Sequence, residues 1–169
     1  MIIFEDDTSG YYAILTLAGS ADTYRARKFD PALEGLVNKV TLEMKGFDAL
    51  PSHAIKVELR ENNAGAPSDD IWEESTTTIT TLSAAYAFYA FEFAGTKTLS
   101  PGTSYWVIVY TTDAATQGAF VRTSKPGGSP GEWDDDGVAP WSGTVHDLDL
   151  KVEGVAAGGD ARSWGMIIA

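Results

Sequence analysis

The stretch Gly127-Gly128-Ser129-Pro130-Gly131 spells the G-x-S-x-G pattern that holds a serine nucleophile on a sharp turn, and His146 follows it beyond Asp134, Asp135 and Asp136. The chemistry refuses the match. Such an elbow needs a strand before the serine, a helix after it, and a backbone N–H on the next residue to hold the oxyanion. Here the next residue is Pro130, which has no N–H. The catalytic set read from the sequence is empty, and the expectation is a protein that is not an enzyme.

Other residues could bind. His53 and His146 are isolated, one in a turn after Pro51-Ser52 and one opening a late strand, and each reads first as a structural histidine; no ligand spacing supports a metal site there. Asp134-Asp135-Asp136-Gly137 is the densest acidic cluster. It lacks the alternating spacing of an EF-hand loop, so the plain reading is an exposed acidic turn, with Asp134 and Asp136 as weak candidates for calcium, the single cofactor considered. Trp133 and Trp141 flank that cluster in a stretch rich in glycine and proline. Indole faces stack on sugar rings while carboxylates take hydroxyl hydrogen bonds, which makes both tryptophans glycan-binding candidates; the alternative is that they cap the end of a core.

The elements that must position these residues are strands. Val40, Leu42 and Met44 alternate with Thr41, Glu43 and Lys45, and Ile55, Val57 and Leu59 alternate with Lys56, Glu58 and Arg60, giving one apolar and one charged face. Tyr89, Phe91 and Phe93 share a face, as do Leu148, Leu150 and Val152. Tyr11 to Leu17 and Phe120 to Thr123 read as further strands, and Ile71 to Leu82 is β-prone. Turn clusters separate them, at Glu61 to Pro67, Ala94-Gly95 and the long stretch from Lys125 to Gly143. The sole helical candidate is short, Pro31 to Val37, and contains Gly35. This pattern predicts an all-β fold, an antiparallel β-sandwich or barrel.

One strand stands apart. In Thr98 to Tyr110, a Ser100-Pro101-Gly102 turn feeds a run in which Tyr105, Val107 and Val109 point one way and Trp106, Ile108 and Tyr110 the other. A one-sided sheet would alternate with polar residues, so the second apolar face needs a cover: a loop, a terminal arm or a partner. Trp106, Ile108 and Tyr110 are accordingly partner-docking candidates.

The 169 residues carry 44% apolar and 11% aromatic side chains, enough for an ordinary globular core, with a net charge of −12 and no cysteine. The charge argues against a nucleic acid or an anionic membrane surface as partner, and the lack of cysteine excludes disulfides and thiolate metal sites. The opening Met1 to Gly10 has no basic region and does not read as an export signal; no run is long enough to span a bilayer. Three segments are expected: an N-terminal arm over residues 1–10, a single sandwich over 11–154, and a C-terminal extension over 155–169. In that extension Gly154 to Gly159 leads to an apolar end, and Trp164, Met166, Ile167 and Ile168 are docking candidates, whether the segment folds back as a strand or adds to another subunit.

The order of segments resembles the jelly-roll β-sandwich modules of tailed-phage structural proteins and of related bacterial surface proteins. The likeness rests on Arg25 to Phe29, Leu36 to Leu42, Ile55 to Asn62 with Gly65-Ala66-Pro67, Tyr86 to Phe93, and a Leu99 to Trp106 hairpin followed by Trp133 and Trp141; it spans roughly Tyr24 to Gly154. It implies a virion protein made in a host cytoplasm, of the capsid decoration, fibre or spike kind, that self-associates and docks on other virion or capsid subunits. The alternative it leaves is a carbohydrate-binding module of a surface or secreted protein, and a host-surface glycan is a candidate ligand under either reading.

Overall fold

The computed structural model describes residues 1–6, 11–15, 24–46, 54–111, 119–123, 132–134, 142–143 and 150–157. They form an all-β sandwich of two antiparallel sheets, with no helix among the described residues. The strands of the first sheet are β1 (Ile2–Asp6), β2 (Tyr11–Leu15), β4 (Gly35–Gly46), β8 (Ala87–Glu92), β9 (Thr98–Leu99), β11 (Ala119–Thr123) and β14 (Leu150–Val155). The second holds β3 (Tyr24–Phe29), β5 (Ile55–Asn63), β6 (Ala66–Pro67), β7 (Glu73–Glu74), β10 (Tyr105–Thr111), β12 (Glu132–Asp134) and β13 (Ser142–Gly143).

The first sheet is organised by β4. Both β14 and β8 pair with residues 39–42 of β4, so they lie on its opposite flanks, with β1 outside β14. The alternation that predicted this strand is present, since Val40, Leu42 and Met44 are buried. It breaks at Asn38, where the β14 register steps from Glu153↔Lys39 to Gly154↔Val37. The extra residue is a β-bulge, and it explains why Val37 and Val40, three apart, both face the core. Pro31 to Val37 is not helical: residues from Gly35 onward are drawn into β4, where Gly35 and Leu36 pair with Leu99 and Thr98 of β9. Hydrogen bonding to two flanking strands outweighs the weak local helix preference. Of the expected N-terminal arm, Ile2–Asp6 form β1, and Met1 and Gly154 exchange backbone hydrogen bonds of 2.8 and 3.0 Å.

In the second sheet the order is β13-β12-β3-β10-β5-β6, with β7 also on β5. The core lies between the sheets and is built from Ile55, Val57 and Leu59 of β5 and Tyr105, Val107 and Val109 of β10. Facing them are Val40, Leu42, Phe91, Leu150, Val152 and Ile3 of the first sheet. The Ser100–Thr103 turn forms as expected, with Gly102 at φ +80 and Thr103 N–H donating to Ser100 O at 3.2 Å. It does not close a hairpin. Strand β9 pairs with β4 and β10 with β3 and β5, so the turn carries the chain from one sheet to the other.

Gly35 and Gly154 mark where strands crowd. A Cβ on Gly154 would lie 2.2 Å from the Leu36 carbonyl oxygen and 2.4 Å from Ile3 Cδ1, and backbone cannot yield as a side chain can. Gly154→Ala is expected to lower stability by about 1–3 kcal/mol, read as a lower urea midpoint at unchanged slope.

Candidate functional site

The outward face of the second sheet is where titratable and aromatic groups converge. Register sets the rows: Trp106 lies between Lys28 and Arg60, Ile108 between Ala26 and Glu58, Tyr110 between Tyr24 and Lys56, and Glu58 faces Glu74 on β7. Trp106 is 1% exposed, Ile108 0% and Tyr110 6% within the single chain. With Ala26 and Tyr24 the first two form an apolar cluster of their own, so these three docking candidates are interior side chains and need no partner to leave water.

Burying that row takes its charged neighbours with it. The sequence pattern gave β5 a charged face, yet Glu58 is 1% exposed and Arg60 4%. Arg60 Nε donates to Glu58 Oε1 at 2.6 Å and Nη1 to the Ser68 carbonyl at 3.0 Å. The Glu74 carboxylate receives Lys56 Nζ on one oxygen and the Tyr110 hydroxyl on the other. Trp106 Nε1 donates to Asn62 Oδ1 at 3.0 Å, and the Tyr24 and Tyr110 rings stack with centroids 5.0 Å apart. The sequence alone does not signal this, because the adjacency of β5 and β10 is a non-local pairing.

The environment moves the protons accordingly. Burial raises the Glu58 pKa above its ordinary value, against the opposing charge of Arg60. Burial also raises Glu74, but the hydrogen bonds from Lys56 and Tyr110 outweigh it and hold that carboxyl low. The Tyr110 phenol is pushed well above its usual range by burial and then by its bond to Glu74. These described groups therefore satisfy one another: Glu58 and Glu74, though directly opposed, are each neutralised by a cation two residues away along β5. What the arrangement does chemically is fix β5, β7 and β10 together.

A second assembly lies at one end of the core. Trp72 stacks on Tyr105 (5.1 Å), which meets Phe29 (6.1 Å), which meets Phe4 (5.4 Å), with Lys97 over the Trp72 ring at one end and Arg27 over Phe4 at the other. Beside it Glu73, 8% exposed, accepts the Thr96 N–H on Oε1, while Oε2 has no hydrogen-bond partner among the described residues. Nothing in the sequence pattern signalled this series, because its members come from four separate segments.

The remaining candidates divide. The stretch from Lys125 to Gly143, expected as turn, contains two short strands. The backbones of Trp133 and Asp134 lie in β12, opposite Arg25 and Tyr24 of β3, and Trp133 also registers opposite Ser142 of β13. Trp141, Asp136, His53, His146, Gly127 to Gly131, Trp164, Met166, Ile167 and Ile168 lie outside the described residues. Compared with protein-family models, curated proteins and solved structures, the chain matches none.

Because Glu58 and Arg60 are buried as a pair, removing one charge should cost more than removing both. Arg60→Met is expected to lose about 3–5 kcal/mol, and Glu58→Gln with Arg60→Met less than that single change. The pH dependence has a definite sign. A carboxyl whose folded pKa is raised contributes stability below its unfolded value and loses it as pH rises through the folded one. In Arg60→Met the rise at Glu58 is larger, so the deficit relative to the parent should shrink between pH 7 and pH 5, measured by urea denaturation at each pH.

Proposed function

We propose that this chain is a non-enzymatic structural component of a virus particle, of the tailed-phage capsid decoration or fibre and spike kind, that docks on other virion subunits. The observation that carries the reading is an all-β body in which the buried Glu58 and Arg60 are paired with each other on the second sheet, with Lys56 and Tyr110 bonded to Glu74 beside them. Such a body suits a scaffold that transmits position. The resemblance from Tyr24 to Gly154 adds the structural-protein context, and the net charge of −12 keeps such a body soluble when crowded. Anchorage is assigned to the apolar residues Trp164, Met166, Ile167 and Ile168, adding a strand or burying apolar surface on a neighbouring subunit.

A second reading, a carbohydrate-binding module, is favoured by one observation. The β12–β13 pairing sets Trp133 opposite Ser142, the residue that follows Trp141 in the sequence. Two experiments separate the readings. Removing residues 158–169 is expected to reduce co-sedimentation with particles at least tenfold while the melting temperature holds, and undiminished binding would remove the anchoring role. Trp133→Ala and Trp141→Ala are expected to leave particle binding intact; if they instead abolish retention on an oligosaccharide array with the fold preserved, the carbohydrate-binding reading replaces the first.

A further inference from the structure

We propose that residues 163–169 fold back, within the same chain, over an apolar patch on the outward face of β1, β14 and β4. The inference concerns the isolated chain and does not rest on the particle reading; a segment that anchors on a neighbouring subunit would first have to leave this patch. Register places the patch. Val152 enters the core, so Glu153 and Ile2, which oppose each other, point outward, and so does Val155 two residues further along. Val155 is opposed by Leu36 of β4. Ile2 is 45% exposed, Val155 51%, and Leu36 is partly buried. None of the three belongs to the core. Met1 and Leu33, exposed to a similar degree, border the same corner: Met1 is bonded to Gly154, and Ala32, next to Leu33, donates its N–H to the Ile3 carbonyl. Four of the six large apolar side chains exposed among the described residues are gathered there.

The occupant follows from where the chain leaves the patch. Val155 is itself a member of it, and Ala157 follows two residues later. Beyond lie Gly158 to Arg162 and then Ser163 to Ala169, a stretch with four large apolar side chains, Trp164, Met166, Ile167 and Ile168, and no charged one. The chain from Ala157 to Trp164 reaches about 23–25 Å when extended. Ile2 and Leu36 flank Val155 on the strands to either side, about 10 Å apart. Residues 158–162 are therefore long enough to reverse the chain and lay the apolar residues over Val155 and both its flanks. So short a tether holds the segment beside the patch at an effective concentration of roughly millimolar, which any separate partner has to exceed. A second copy, with the same net charge of −12, also approaches against repulsion.

The absence of cysteine makes the contact readable by disulfide formation in the isolated full chain. Ile2→Cys with Met166→Cys is expected to form a disulfide within one chain under mild oxidant. Ala90→Cys with Met166→Cys is the control. Ala90 is exposed on β8, across β4 from β14, and the chain from Ala157 to Met166, about 30 Å when extended, can still reach it. The Ile2 pair should close about tenfold faster than the control pair. A second measurement uses trypsin cleavage after Arg162, which releases residues 163–169. Ile2→Ser with Val155→Ser is expected to speed that release about fivefold, since neither side chain supports the core and only the docked segment is loosened. Equal closure of the two cysteine pairs, or a release rate unchanged by the serine substitutions, overturns the proposal. A disulfide that forms only between two chains assigns the patch to a second copy and overturns it as well.

Discussion

A strand that must leave water on both faces governs this molecule. Tyr105, Val107 and Val109 of β10 enter the core between the sheets, while Trp106 and Ile108 form a separate cluster on the other side. Desolvating that outward row also desolvates whatever lies beside it, and on β5 that means Glu58 and Arg60. Charges removed from water are tolerable only when paired and hydrogen-bonded, so the alternation of sign along Lys56, Glu58 and Arg60 is a condition of the packing. Without Lys56 and Arg60 on either side, the opposed Glu58 and Glu74 would repel across a strand pair.

The same need for closure shapes the side of the sandwich. Between β7 and β8 the chain is shared by the two sheets: Ser75 and Ile79 donate to Val57 and Ile55 of β5, and Thr76 donates to Glu92 of β8. The segment reads as β-prone because it does make strand-like bonds, but it divides them between two sheets and so forms a two-residue strand and an isolated bridge. On the opposite flank of β4, the bulge at Asn38 and the bare glycine at 154 let β1, β14 and β4 approach closely, with Ile3 completing the core.

The long alternating runs of β4, β5 and β8 were legible in the sequence because burial on one face imprints a period of two. So was the type of the Ser100–Thr103 turn, which proline and glycine dictate locally. What it connects was not legible, since partner choice is a non-local property: β9 and β10 adjoin in the chain and belong to different sheets. The interior ion pairs stayed hidden for a related reason. Lys56, Glu58 and Arg60 look like any solvated face until β10 is placed beside them. Strands as short as β6, β7, β12 and β13 carry too few residues to show a period at all.

The pairing of β1 with β14 has a mechanical consequence. The two strands run antiparallel, with Ile2 opposite Glu153, so the backbone positions Met1 and Val155 lie at the same end of the sheet. Tension applied between those two positions would peel β1 from β14 one hydrogen bond after another, starting with the pair between Met1 and Gly154. It would not load the whole ladder in shear at once. A body joined to its surroundings through those two points would yield at low force by losing its outer strand, and with it Ile3 from the core, while β4, β8 and the second sheet remained assembled.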